Sequence, residues 1–152
     1  MTNSRDKGKR GERELARWFN SLGFDCRRGQ QYCGVQGNAD VVGLAGIHVE
    51  VKYRDKMTQG DLETAWNQAN NEKQSGTIPV VVWRRTYSRG WMVTMNTSHF
   101  VDMLEPEGNV RDVNHLITGE AESWVQNVYL PWAKSRGYVP YGFKLAQRNE
   151  NK

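Results

Sequence analysis

Leu15, Trp18, Phe19 and Leu22 fall at i, i+3, i+4 and i+7, which predicts one apolar helical stripe over Lys9–Leu22, with Gly23 as its stop. Residues 24–28 then read as a short strand that enters a polar loop rich in glycine and glutamine. Two β-branched runs follow, Asp40–Leu44 and Ile47–Lys52, and the Ala45-Gly46 pair between them predicts a hairpin with a tight turn. In the second run Ile47, Val49 and Val51 alternate with His48, Glu50 and Lys52. Glu50 and Lys52 therefore share the strand face opposite the one that buries the valines.

Leu62, Ala65, Trp66 and Ala69 again carry helical spacing, and Ile78–Trp83 reads as a strand buried on both faces, with Gly90–Met95 as its hairpin partner. A short helix is expected over Ser98–Leu104. The polar stretch that follows, broken by Pro106 and Gly108, reads as loop up to His115. Ala121, Trp124, Val125, Val128 and Trp132 mark a last amphipathic helix. The order of elements predicts an α/β (α+β) fold, a mixed five-stranded sheet flanked by helices. One domain over 1–135 is expected, followed by a basic, aromatic tail over 136–152.

Composition narrows the function classes. A net charge of +4 and a pI near 9.2 favour a polyanionic partner slightly. The charged N-terminal stretch and the absence of any uncharged run near ~18 residues predict a cytoplasmic, intracellular protein with no membrane partner. Cys26 and Cys33 have no CxxC companion and His48, His99 and His115 are scattered, which argues against zinc. No strand is followed by a glycine-rich nucleotide loop, and no nucleophile elbow occurs, so nucleotide-cofactor and serine-hydrolase chemistry are disfavoured.

What remains is the pairing of Asp40 with Glu50 across the hairpin, beside Lys52. Hydrolysis of a phosphodiester needs charge neutralised on the phosphate and a hydroxide generated near neutral pH, and divalent ions held by carboxylates do both. An oxygen ligand set of this kind suits Mg²⁺, with Mn²⁺ as a substitute. An ammonium two residues beyond a metal-binding carboxylate is placed to orient the attacking water and screen developing charge.

The segments KGKRGERELARWFNSLGF, NADVVG and HVEVKYRDK together resemble the catalytic core of Holliday junction resolvases of the archaeal and phage kind, over about half the chain. The resemblance implies a PD-(D/E)XK, restriction-endonuclease-like core and Mg²⁺-dependent cleavage of branched, four-way DNA in recombination and repair. Symmetric cleavage of two strands would suit a homodimer. Position by position it implies catalytic Glu12, Asp40, Glu50 and Lys52, with the metal held by Glu12, Asp40, Glu50 and the Val51 carbonyl. Periodicity does not choose between Glu12 and Glu14; the resemblance favours Glu12. The chain departs from the pattern at Ala39, where the motif's name has proline, and in a preceding loop without serine.

Lys7, Lys9, Arg10, Arg27 and Arg28, with Arg5, bracket this site in sequence and are candidate phosphate contacts, as is Gln68 in the next helix. Trp83-Arg84-Arg85 and residues 138–144 could stack on bases or clamp phosphates, Trp83 being equally readable as core. Two other functions stay open: a repair or restriction nuclease on linear or nicked duplex, and a DNA-binding module that has lost catalysis.

Overall fold

The computed structural model describes residues 4–29, 39–105, 108 and 115–138. In chain order the elements are α1 (Ser4–Ser21), β1 (Arg27–Arg28), β2 (Val41–Val42), β3 (Ile47–Arg54), α2 (Gln59–Glu72), β4 (Ile78–Arg85), β5 (Met92–Asn96), α3 (Thr97–Leu104), β6 (Leu116–Glu120) and α4 (Ala121–Trp124). A π-helical segment, Val125–Tyr129, joins α4 to α5 (Leu130–Ser135). The strands make one mixed sheet ordered β1-β2-β3-β4-β5-β6, antiparallel except for the parallel β3–β4 pair. This is the α/β (α+β) class expected, with six strands in place of five.

The additional strand, β6, pairs with β5 from Met92↔Glu120 to Asn96↔Leu116. Its sequence, LITGE, has two apolar residues at one end and is half-buried to exposed throughout. A strand at the sheet edge with one poorly covered face leaves no alternation to read, and its pairing with β5 sets it instead.

The sheet buries both faces. Val49 and Val51 lie beside Val80 and Val82 in the main core, with Leu15 and Phe19 of α1 and Trp124 and Tyr129 of the last helix. Val81 and Trp83 pack in a smaller cluster with Met57, Leu62 and Ala65 on the α2 side. Trp83 thus belongs to the core, its indole N–H donating to Thr94 Oγ1 at 2.9 Å. The helix α2 starts with a reciprocal cap in which Thr58 Oγ1 accepts from the Asp61 N–H and Asp61 Oδ2 accepts from the Thr58 N–H.

Two close approaches fix the frame around β3. A Cβ on Gly11 would lie 2.6 Å from Tyr53 Cβ, so only glycine lets α1 sit this near the strand. The hairpin turn closes through Ile47 N–H donating to Leu44 O at 3.1 Å, with Gly46 at φ +80°. The Tyr129 hydroxyl donates to Ala45 O at 3.0 Å, tying the last helix to that turn.

Cys26 is buried, its thiol pushed up to about 12 by burial and then by the charge of Asp25. Cys33 and residues 139–152, most of the expected tail, lie outside the described residues. Among the described residues no helix is long and apolar enough to cross a membrane.

Candidate functional site

Asp40 stands immediately before β2. Its N–H donates to Val49 O at 2.9 Å, and its Oδ2 accepts from the Val51 N–H at 2.9 Å. In a strand the N–H and C=O of one residue point to the same edge, so the Val51 carbonyl also faces the Asp40 side of β3. Glu50 is 3% exposed, and its Oε1 lies 3.4 Å from Lys52 Nζ. The face that carries Glu50 was expected to be the one opposite the core. It is buried too, because α2 covers it.

Glu12 comes from α1, held by Arg28, whose Nε donates to its Oε2 at 2.6 Å. Glu14 turns elsewhere, to Arg84 and Arg10. Of the two helix glutamates, Glu12 is the one whose charge acts on Asp40. Asp40, at the start of β2, and Glu50 and Lys52, on β3, are therefore brought together, and the charge of Glu12 from α1 reaches Asp40.

The electrostatics of this cluster are dominated by burial. Burial lifts the Asp40 carboxyl above the ordinary carboxylate range; the Val51 N–H pulls it back, Glu12 and Glu72 push it further up, and Lys52 opposes them. Glu50 is raised by burial first and by the Asp40 charge second, with Lys52 opposing and Glu72 adding. Carboxylates crowded in a poorly hydrated corner, answered mainly by one ammonium, are a donor set that suits a hard divalent cation.

The remaining residues of interest divide by their contacts. Lys7 bonds Asp55 at 2.6 Å and lies over the Tyr53 ring, while Arg10 pairs with Glu14 and Arg28 with Glu12. Arg27 is exposed on β1 and Lys9 is half-buried on α1. Arg84 is sandwiched against Tyr53 and Trp91 and paired with Glu14. Gln68 is exposed on α2, its amide donating to Glu72 Oε1 at 3.3 Å, which connects it to the cluster.

Two residues join the cluster that sequence reasoning did not assign. His48, 3% exposed, and Glu72, on the last turn of α2, form with Glu50 a group whose ligand atoms all lie within 4.8 Å of one another, a group able to hold a metal ion. His48 carried a signal, since it shares strand parity with Glu50; Glu72 carried none, being an ordinary polar residue at a helix end. In comparisons with known proteins, no family model matches the chain and no curated protein matches it.

Proposed function

We propose that the protein is a metal-dependent DNA endonuclease of the PD-(D/E)XK type, acting on branched, four-way DNA as a homodimer. The observation that carries the reading is the grouping of Asp40 and Glu50, both raised by burial, with Lys52 beside them and the charge of Glu12 acting on Asp40. Asp40, Glu50 and the Val51 carbonyl would hold a Mg²⁺ or Mn²⁺ ion, with Glu12 completing the set. Such an ion, when bound, would neutralise charge on the phosphate oxygens and acidify a neighbouring water.

The chain's own residues supply the rest. The Val51 N–H fixes the Asp40 carboxylate against rotation, and Arg28 does the same for Glu12. Lys52, 3.4 Å from Glu50, keeps its ammonium beside the carboxylates, positioned to hold the attacking water and to face charge building on phosphorus. Arg27, exposed on the neighbouring β1, offers a phosphate contact outside the cluster.

The test is incubation of the full chain with a labelled four-way junction and a matched linear duplex, with Mg²⁺ or with chelator. Symmetric Mg²⁺-dependent nicks in the junction alone are expected. Asp40→Asn and Glu50→Gln should bind the junction and cut at least ~100-fold more slowly, the scale on which one preorganised electrostatic group acts. Equal cutting of both substrates would replace the junction assignment with a general nuclease, and binding without cleavage under Mg²⁺ and Mn²⁺ alike would remove the enzyme reading.

A further inference from the structure

We propose that His48, Glu50 and Glu72 form a second cation site, on the α2 side of Glu50, selective for a divalent transition ion such as Mn²⁺ or Zn²⁺ over Mg²⁺. The topology builds it. Strands β3 and β4 are parallel, so α2 between them runs back along the sheet and delivers its last residue, Glu72, over the beginning of β3. There His48 and Glu50, two residues apart, project from the same face.

One ligand atom from each of the three lies within 4.8 Å of the others. Ligands held at ~2.1 Å from an ion sit at most ~4.2 Å apart, and the exposed Glu72 side chain has the freedom to close any remainder. An independent observation points to a ligand: His48 is 3% exposed, and its Nε2 has no hydrogen-bond partner. Buried polar atoms are ordinarily paired, and an imidazole nitrogen without a partner at this depth is one that a metal would satisfy.

One imidazole nitrogen with two carboxylate oxygens is a poor set for Mg²⁺, which demands oxygen and keeps its waters, and a good one for first-row ions. Occupancy would tie the C-terminal turn of α2 to β3. The inference goes beyond the nuclease reading, sharing Glu50 with it but neither Asp40 nor Glu12.

Mn²⁺ alone, added to the full chain up to one equivalent, tests it by pulsed electron paramagnetic resonance. A nitrogen coupling from a single imidazole is expected, surviving excess Mg²⁺ and surviving Asp40→Asn, and lost in His48→Gln. Glu72→Gln should weaken Mn²⁺ binding at least ~10-fold, since even outer partners of metal ligands act on a ~10–100-fold scale. No nitrogen coupling in the parent chain, or a coupling undiminished in His48→Gln, would overturn the proposal. So would its loss in Asp40→Asn, which would put the ion among the nuclease carboxylates. Circular dichroism establishes that His48→Gln folds. If it does not, Glu72→Gln decides, and unchanged Mn²⁺ affinity there overturns the site. Cleavage enters none of these readouts, so the site and the nuclease reading fail separately.

Discussion

Asp40 and Glu50 face each other in a place where both cannot ionise cheaply, since each is desolvated and each raises the other or is raised by a neighbouring carboxylate. A carboxyl whose folded value is raised binds its proton more tightly in the native state than in the unfolded chain. The stability this gives is present below the unfolded value near ~4 and is lost as pH rises through the raised folded values. The metal-free protein should therefore melt at lower temperature near pH 8 than near pH 5, by a few degrees, given ~2–4 °C per kcal/mol for a chain of this size. Glu50→Gln should flatten that fall, and, if the proposed site holds Mg²⁺, a saturating concentration should reverse it by competing with the protons. Scanning calorimetry with chelator and with Mg²⁺ decides; a melting temperature that rises across this range without metal contradicts the shifts. Much of this was legible in the sequence because strand parity alone puts Glu50 and Lys52 on one face. Parity does not say that the face is covered, and the depth of burial that raises both carboxyls came only with α2 in place.

Elements with strong internal periodicity were legible in place and type: α1, α2, β3 and β4 form where the apolar spacing put them, although α1 begins at Ser4 and not Lys9 and β3 and β4 run on to Arg54 and Arg85, and the Ala45-Gly46 turn joins β2 to β3. The edge strand β6 was not, because its order comes from β5 and not from its own side chains. The distance between elements was equally invisible, and Gly11 shows why it matters. The contact of α1 with β3 at Tyr53 leaves no room for a Cβ, and the next residue on the helix is Glu12, whose carboxylate acts on Asp40. Gly8 sits on the same helix with nothing within 4 Å of an added Cβ. The two glycines should respond in opposite directions. Gly8→Ala should stabilise by ~0.5–1 kcal/mol, the helix-propensity gain. Gly11→Ala should destabilise by ~1–3 kcal/mol through overpacking and, if the proposed site holds Mg²⁺, should weaken that binding by displacing Glu12. Urea denaturation and Mg²⁺ titration of both variants test this; two alanines that stabilise alike would mean that α1 stands further from β3.

At the scale of the whole molecule the charges oppose one another. The chain carries a net +4, yet in the candidate site Lys52 stands beside Asp40 and Glu50, on which Glu72 also acts, as Glu12 does on Asp40, and Lys7, Arg10 and Arg28 are engaged with Asp55, Glu14 and Glu12. If the proposed site takes DNA, the polyanion must approach an acidic centre, and surface cations already paired within the fold give little net attraction there. A divalent ion would then govern binding as well as cutting. At fixed ionic strength a labelled junction should bind weakly in chelator and at least tenfold more tightly with Ca²⁺, an oxygen-seeking ion that fits the same carboxylates. In chelator at pH 9, where Glu50, pushed up to about 8, has lost its proton, Glu50→Gln should bind more tightly than the parent chain, by about fivefold for each ~1 kcal/mol of repulsion removed. Arg27→Gln should weaken both states and lower the slope of log affinity against log salt by about one. Fluorescence anisotropy across a salt series measures all three. Affinity indifferent to Ca²⁺ and to Glu50→Gln would mean that DNA does not approach this corner of the sheet, and a nuclease centre there would be untenable whatever its carboxylates bind.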